Sequence, residues 1–186
     1  MHPHMQRVLL TEEEIRNRVS ALAREISADY EGREPLLVGV LKGAFIFLAD
    51  LVRSLTIPVR LDFIAVSSYG GASETSGAVR ILKDLDQSIE GLHVLLVEDI
   101  VDTGLTLNYL RENLLARGPV SLKICTLLDK PSRRRVEVKV DYNGFVIPDE
   151  FIVGYGLDYN GSYRHFRELL VLKREIYAGE KACGGR

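Results

Sequence analysis

Hydrophobic residues fall along this chain in two distinct periods. Over residues 11–29, Ile15, Val19, Leu22, Ala23 and Ile26 recur at three- and four-residue steps behind a capping box made by Thr11 and Glu14. The spacing predicts an amphipathic helix. Residues 36–41 follow Pro35 as a short continuous apolar run, the pattern of a strand buried on both faces, and Gly43 leads into a second apolar helix reaching about residue 55. The same step recurs at residues 93–97, an apolar run that ends in the acids Glu98 and Asp99. After Gly104, Leu107, Leu110 and Leu114 share one helix face, and Gly118-Pro119 ends that helix. Residues 59–67, 79–85, 120–128 and 151–153 read as further strands, and the alternation over 136–140 reads as an edge strand. Between residues 67 and 79 the chain is rich in small residues and poor in anchors, which predicts a mobile loop.

Strands that alternate with helices imply an α/β fold, a mostly parallel central sheet covered by helices on both faces. A single domain over residues 1–186 is expected, since no interdomain linker, repeat or low-complexity segment interrupts the pattern. The N-terminal helix region and roughly residues 130–175 are expected to form a small hood over the carboxyl ends of the strands, where open α/β sheets bind ligands. Residues 179–186 are Gly-rich and read as a disordered tail.

Composition narrows the partners. A formal net charge of −2 with 27% charged residues is too balanced for a protein that binds nucleic acid through charge, so any anionic ligand must be held locally. Cys125 and Cys183 have neither metal-binding spacing nor the framework of a secreted domain, which fits a reducing compartment. No apolar stretch approaches the roughly 20 residues that span a bilayer, and the polar start carries no signal-peptide core, so a cytoplasmic protein is expected. His2 and His4 sit in a terminal segment expected to be too mobile to hold a metal.

Chemistry concentrates between a buried strand and a helix. There Glu98, Asp99 and Asp102 are followed by the turn Thr103-Gly104-Leu105-Thr106. Backbone N–H groups at the start of the following helix are unpaired and lie at the positive end of its dipole, so this turn is a ready cradle for a phosphate. Gly104 allows close approach or positive φ, Thr103 and Thr106 can add hydroxyl donors, and Glu98 and Asp99 can hold ribose hydroxyls or a magnesium ion. Acids and threonines also cap helices with no further role, but two adjacent carboxylates, a third three residues on and this turn exceed what a cap requires. A nucleoside-triphosphatase loop of the Gly-x-x-x-x-Gly-Lys-Ser/Thr type is absent, and no Gly-x-Gly-x-x-Gly opens the first strand-helix turn.

Residues 97–106 resemble the phosphoribosyl pyrophosphate (PRPP) signature of type I phosphoribosyltransferases. Four further stretches are similar to the hypoxanthine-guanine branch of that family: Leu41-Lys42-Gly43, Ser68-Tyr69, Leu128-Asp129-Lys130, and the hood segment from Ile147-Pro148 to Arg164. The resemblance implies the type I phosphoribosyltransferase fold and transfer of a 5-phosphoribosyl group from PRPP to a 6-oxopurine, with magnesium as cofactor. It assigns Glu98, Asp99, Asp102, Thr103, Gly104, Leu105 and Thr106 to the ribose and 5-phosphate, with Asp102 as the catalytic carboxylate beside purine N7. Lys42, Gly43 and Arg164 fall to pyrophosphate, the first in a loop whose Leu41-Lys42 peptide can be cis. Lys130, Phe151, Ile152 and Asp158 fall to the base side of the site, and Glu98, Asp99 and Asp158 to magnesium. Ser68 and Tyr69 become a lid that excludes water. The resemblance further implies a homodimer or homotetramer that includes the region of residues 41–55, with no nucleic-acid or membrane partner. Proteins that keep the PRPP loop can also serve as non-catalytic PRPP-sensing regulators, but this chain lacks the basic face such a role needs.

Overall fold

The apolar run behind Pro35 and the one ending in Glu98 and Asp99 become neighbouring parallel strands in the middle of a sheet. The computed structural model describes residues 2–68 and 79–178. Its elements are β1 (Met5–Leu10), α1 (Glu12–Asp29), β2 (Leu36–Leu41), α2 (Phe45–Ser54), β3 (Arg60–Ser68), β4 (Val79–Lys83), β5 (His93–Val101), α3 (Leu105–Leu115), β6 (Ser121–Asp129), β7 (Tyr142–Val146), β8 (Ile152–Val153), β9 (Leu169–Leu172) and α4 (Arg174–Ala178). Among these, the central sheet has the order β4-β3-β2-β5-β6-β7 and is parallel throughout except at the β4 edge.

Alternation along the strands divides the core in two. Leu37, Leu95, Val97, Cys125 and Leu127 face the layer of α1 and α2, whereas Leu36, Val38, Val94, Leu96 and Ile124 face Leu107, Leu110 and Leu114 of α3. Each of these aliphatic side chains stabilises the fold by about 1.5–3 kcal/mol when fully buried. The Thr11–Glu14 capping box is present at the start of α1. Burial of the Cys125 thiol pushes its pKa up, which marks it as a core residue rather than a nucleophile.

The alternation over residues 136–140 is not a ladder. Arg135 and Val136 donate their N–H groups to the Thr103 carbonyl at 2.9 and 3.1 Å, and the edge strand is β7 instead. Val138 is buried and Val136 and Val140 are half-buried, so the period-2 pattern reports an extended segment covering one side of the α3 core. Pairing does not follow from it.

The hood is a separate antiparallel sheet, β1-β9-β8, closed over Met5, Val153, Leu170 and Leu172. Its N-terminal part is the strand β1, unforeseen in the sequence, rather than the helix. Helix α1 packs beside α2 and β7, where Arg18 donates to the carbonyls of Gly144 and Asn143 at 3.0 and 2.6 Å. No helix among the described residues is long and apolar enough to cross a membrane. Tyr69, the loop beyond it and the tail 179–186 lie outside the described residues, as does the side chain of Ser68.

Candidate active site

Because β2, β5 and β6 run parallel, their carboxyl ends deliver residues to one edge of the sheet. At the end of β2 the Leu41-Lys42 peptide is cis, and Gly43 turns the chain into α2. A Cβ at Gly43 would stand 1.6 Å from Asp99 Oδ2, so only glycine lets this loop lie against the acid.

Strand β5 runs to Val101, so Glu98 and Asp99 lie inside it rather than beyond a strand ending at residue 97. Glu98 lines a small cup of about 80 Å³ together with Asp102, Thr103, Gly104 and Thr106; Asp99 lines the larger cleft next to it. Burial raises both carboxyl pKa values, that of Glu98 well above its ordinary value with a further push from the neighbouring Asp99. Two adjacent buried acids resist holding two charges, so the pair favours keeping a proton.

The cup opens on the start of α3. Gly104 adopts φ 83°, and the first intrahelical bond runs from Asn108 N–H to the Gly104 carbonyl at 2.9 Å. The N–H groups of the first helical turn therefore have no acceptor within the helix, although that of Leu105 reaches Thr103 Oγ1 at 3.4 Å. No acidic residue occupies that first turn, which leaves the positive end of the dipole to an external anion. A Cβ at Gly104 would come within 2.4 Å of the Val136 carbonyl oxygen, so here glycine serves both the turn and the close packing behind it.

The larger cleft, about 610 Å³, gathers Lys42, Gly43, Asp99, Asp102, Lys130 and Arg164 with Phe151, Ile152 and Asp158 from the hood. Lys130 is 7% exposed; its ammonium donates to the Glu150 carbonyl at 2.6 Å, and burial lowers its pKa. Asp102 forms an ion pair with Arg133 at 2.9 Å, and Arg133 also approaches Asp149 at 3.4 Å. Arg134 donates to the Asp102 carbonyl at 3.3 Å and pairs with Asp129. Arg164 donates to the Gly156 carbonyl at 2.6 Å and pairs with Asp158 at 2.7 Å. The second Asp158 oxygen accepts from Gly161 N–H at 2.7 Å. Phe151 borders the cleft while stacking on Tyr177 at 4.9 Å, so it is half a core residue and half a wall.

Residues 7–160 match the family described as the phosphoribosyl transferase domain. The chain belongs to the phosphoribosyltransferase family. It is 48% identical to the hypoxanthine-guanine phosphoribosyltransferase of Bacillus subtilis, over 95% of this chain and 98% of that one. It is also 49% identical, over 96% of its length, to the bifunctional protein TilS/HprT of Listeria monocytogenes, of which it spans 28%. The solved hypoxanthine phosphoribosyl transferase of Trypanosoma cruzi superposes with a TM-score of 0.92 at 48% identity, covering 98% of this chain and 99% of that one. The architecture is that of the type I phosphoribosyltransferases.

Within this phosphoribosyltransferase the cup and cleft bring together the predicted residues from four separate stretches of sequence. The Leu105 side chain is the exception at the cup, since it does not line it. Arg133 and Arg134, which hold Asp102 from the side chain and the carbonyl, are not among the residues the sequence singles out. Their signal is the run Arg133-Arg134-Arg135, separated from Lys130 by Pro131-Ser132. Among the described residues no cluster of three or more His, Cys, Asp or Glu could hold a metal ion. Two adjacent carboxylates still suit magnesium, a hard cation that takes one or two carboxylates and completes its shell with substrate oxygens and water.

Proposed function

We propose that this chain is a purine salvage enzyme that transfers the 5-phosphoribosyl group of PRPP to hypoxanthine or guanine, giving IMP or GMP and pyrophosphate. The observation that carries this reading is the junction of two sites. A helix-terminal cup sized for one phosphate adjoins a cleft lined by the buried Lys130, and Asp102, the residue before the turn, borders both. The names of the Bacillus subtilis and Trypanosoma cruzi proteins support the same substrate class.

In this reading the first-turn N–H groups of α3 and the hydroxyls of Thr103 and Thr106 hold the 5-phosphate. Glu98 and Asp99 take the ribose hydroxyls and a magnesium ion, which when bound offsets charge on the pyrophosphate. Lys42, the backbone of Gly43 and Arg164 bind pyrophosphate, with Asp158 beside the magnesium once Arg164 turns to the substrate. Purine N9 attacks the anomeric carbon as the bond to the pyrophosphate oxygen breaks and pyrophosphate leaves with that electron pair. Asp102 accepts the N7 proton, for which Arg133 must release it. Lys130 donates to O6, Phe151 stacks on the base, and the Ile152 backbone meets its edge. Ser68 and Tyr69 act as the lid that keeps water from the ribose carbon. A cytoplasmic homodimer or homotetramer completes the reading, with residues 41–55 in the interface.

A spectrophotometric assay with PRPP, magnesium and each purine in turn tests it. Turnover with hypoxanthine or guanine and almost none with adenine is expected; a chain that binds PRPP but converts no purine would be the non-catalytic regulator instead.

A further inference from the structure

The hood segment that carries Asp158 and Arg164 has a backbone few side chains adopt. Tyr155, Asn160 and Tyr163 have φ of 47, 50 and 76°, in the left-handed region where a bulky residue persists only if its surroundings hold it. On the cleft side the segment is tied by the Asp158 and Arg164 contacts described above. Tyr163, the residue before Arg164, is held by His2 and His4.

The Tyr163 hydroxyl lies 2.6 Å from His4 Nδ1. Its ring is nearly parallel to Phe166 at 6.1 Å and meets His2 and His4 edge-on at 5.7 and 6.1 Å. His2 closes this aromatic box, 4.8 Å from the His4 ring and 5.9 Å from Phe166. Although the sequence suggested a mobile terminus, the turn is fastened. Met5 N–H donates to the His2 carbonyl at 3.0 Å, His4 N–H to His2 Nδ1 at 3.2 Å, and Lys173 N–H to the His4 carbonyl at 3.0 Å. Met5 itself is buried in the hood core. The Tyr163 and Phe166 rings also pack against that core, so hood packing seats the Tyr163 ring and the imidazole adds the one directed contact, at its hydroxyl.

We propose that His4 is a positioning residue, whose imidazole holds Tyr163 and thereby fixes the backbone that aims Arg164 and Asp158 at the pyrophosphate part of the substrate. The inference rests on the transferase reading above. Lys130 and Asp102 stand on other elements and Ile152 is held by its ladder pairing with Val171 of β9, so the purine half of the site does not depend on this contact.

The test compares the parent with His4→Ala, His4→Asn, Tyr163→Phe and the double variant His4→Ala/Tyr163→Phe. In His4→Ala and Tyr163→Phe, KM for PRPP should rise about 3- to 10-fold, the scale of one hydrogen bond, with kcat and KM for hypoxanthine unchanged. The double variant should be no worse than either single one, and His4→Asn, whose amide can stand in for Nδ1, should recover most of the loss. Calorimetric titration with inorganic pyrophosphate and magnesium should show the same weakening without any need for turnover. Unchanged PRPP and pyrophosphate affinity, additive losses in the double variant, or a thermal destabilisation that tracks the kinetic loss without rescue by asparagine would overturn the role of His4. A parent that binds pyrophosphate but transfers nothing to any purine would overturn the transferase reading alone, and the pyrophosphate arm would still decide on His4. A parent that does neither overturns both.

Discussion

The two walls of the cleft are built on opposite principles. The sheet wall consists of strand ends whose residues are aimed by the ladder itself: Glu98 and Asp99 lie inside β5, and Lys130 directly follows β6. The hood wall hangs on a loop with positive-φ residues, and its side chains are held by other side chains, Arg164 by Asp158 and Tyr163 by His4. A wall fixed by backbone register suits groups that act on a developing charge, since preorganisation there lowers the barrier directly. A wall fixed by side chains can yield as substrate enters and product leaves. Damage to the sheet wall should therefore remove binding or turnover outright, and damage to the hood should mostly shift affinity.

The largest effect is expected at Gly104. Valine there forces φ 83° on a β-branched residue and drives its Cβ into the Val136 carbonyl, at a cost of about 2–4 kcal/mol. PRPP binding should be lost by calorimetry and the thermal midpoint should fall by roughly 4–16 °C. Gly104 serves both the phosphate side of the turn and the packing against Val136 behind it, so both readouts should move together. A variant with parent-like PRPP affinity would remove the cup as phosphate site.

Next comes Asp102→Asn, which keeps shape and loses basicity. Turnover should fall by about 10²-fold or more with PRPP affinity little changed. Steady-state kinetics within threefold of the parent would return Asp102 to a capping role. Lys130→Gln should cost about 10- to 100-fold in kcat/KM for hypoxanthine, the range for a hydrogen bond from a charged group. It should also narrow the gap to adenine, because an amide can donate to O6 or accept from an amino group. An unchanged ratio between the two bases would show that Lys130 does not read position 6.

The same contrast explains what could be read from the sequence. The sheet wall was legible because its elements are local and periodic: the runs at 36–41 and 93–97 are continuous, the α3 stripe is clean, and the acid-rich turn joins them within a few residues. The hood was legible only in part: the strand read at residues 151–153 is β8, but β1 and β9 pair across most of the chain, Met5 with Leu172, and carry no local period that would reveal them. The alternation of residues 136–140 misled because one-sided burial and strand pairing leave the same trace. The Arg133 contact to Asp102 depends on a turn between residues 130 and 135, and a run of three arginines does not say which one reaches back.

The smallest expected effect, and the sharpest comparison within the sheet wall, concerns Glu98. Its carboxyl is buried beside Asp99, and both causes raise its pKa above the ordinary 4.5. A carboxyl raised in the folded state holds its proton more tightly there than in the unfolded chain. The stabilisation this gives is fully present below the unfolded value and is lost as pH rises through the folded one. Glutamine at position 98 cannot ionise, so Glu98→Gln should escape that loss. The thermal midpoint of the parent relative to Glu98→Gln should therefore decline as pH is raised from about 4.5, the free carboxyl value, towards 8. At the upper end the variant should be the more stable protein by a few degrees, at about 2–4 °C per kcal/mol for a chain of this size. The gain has a cost that identifies the site: PRPP binding in the presence of magnesium should weaken, and the proton released on binding by the parent should be reduced in the variant when titrations are compared in buffers of different ionisation enthalpy. A midpoint difference independent of pH over that range would mean that Glu98 is not a destabilised acid awaiting a cation, and the sheet wall would then be rigid without being strained.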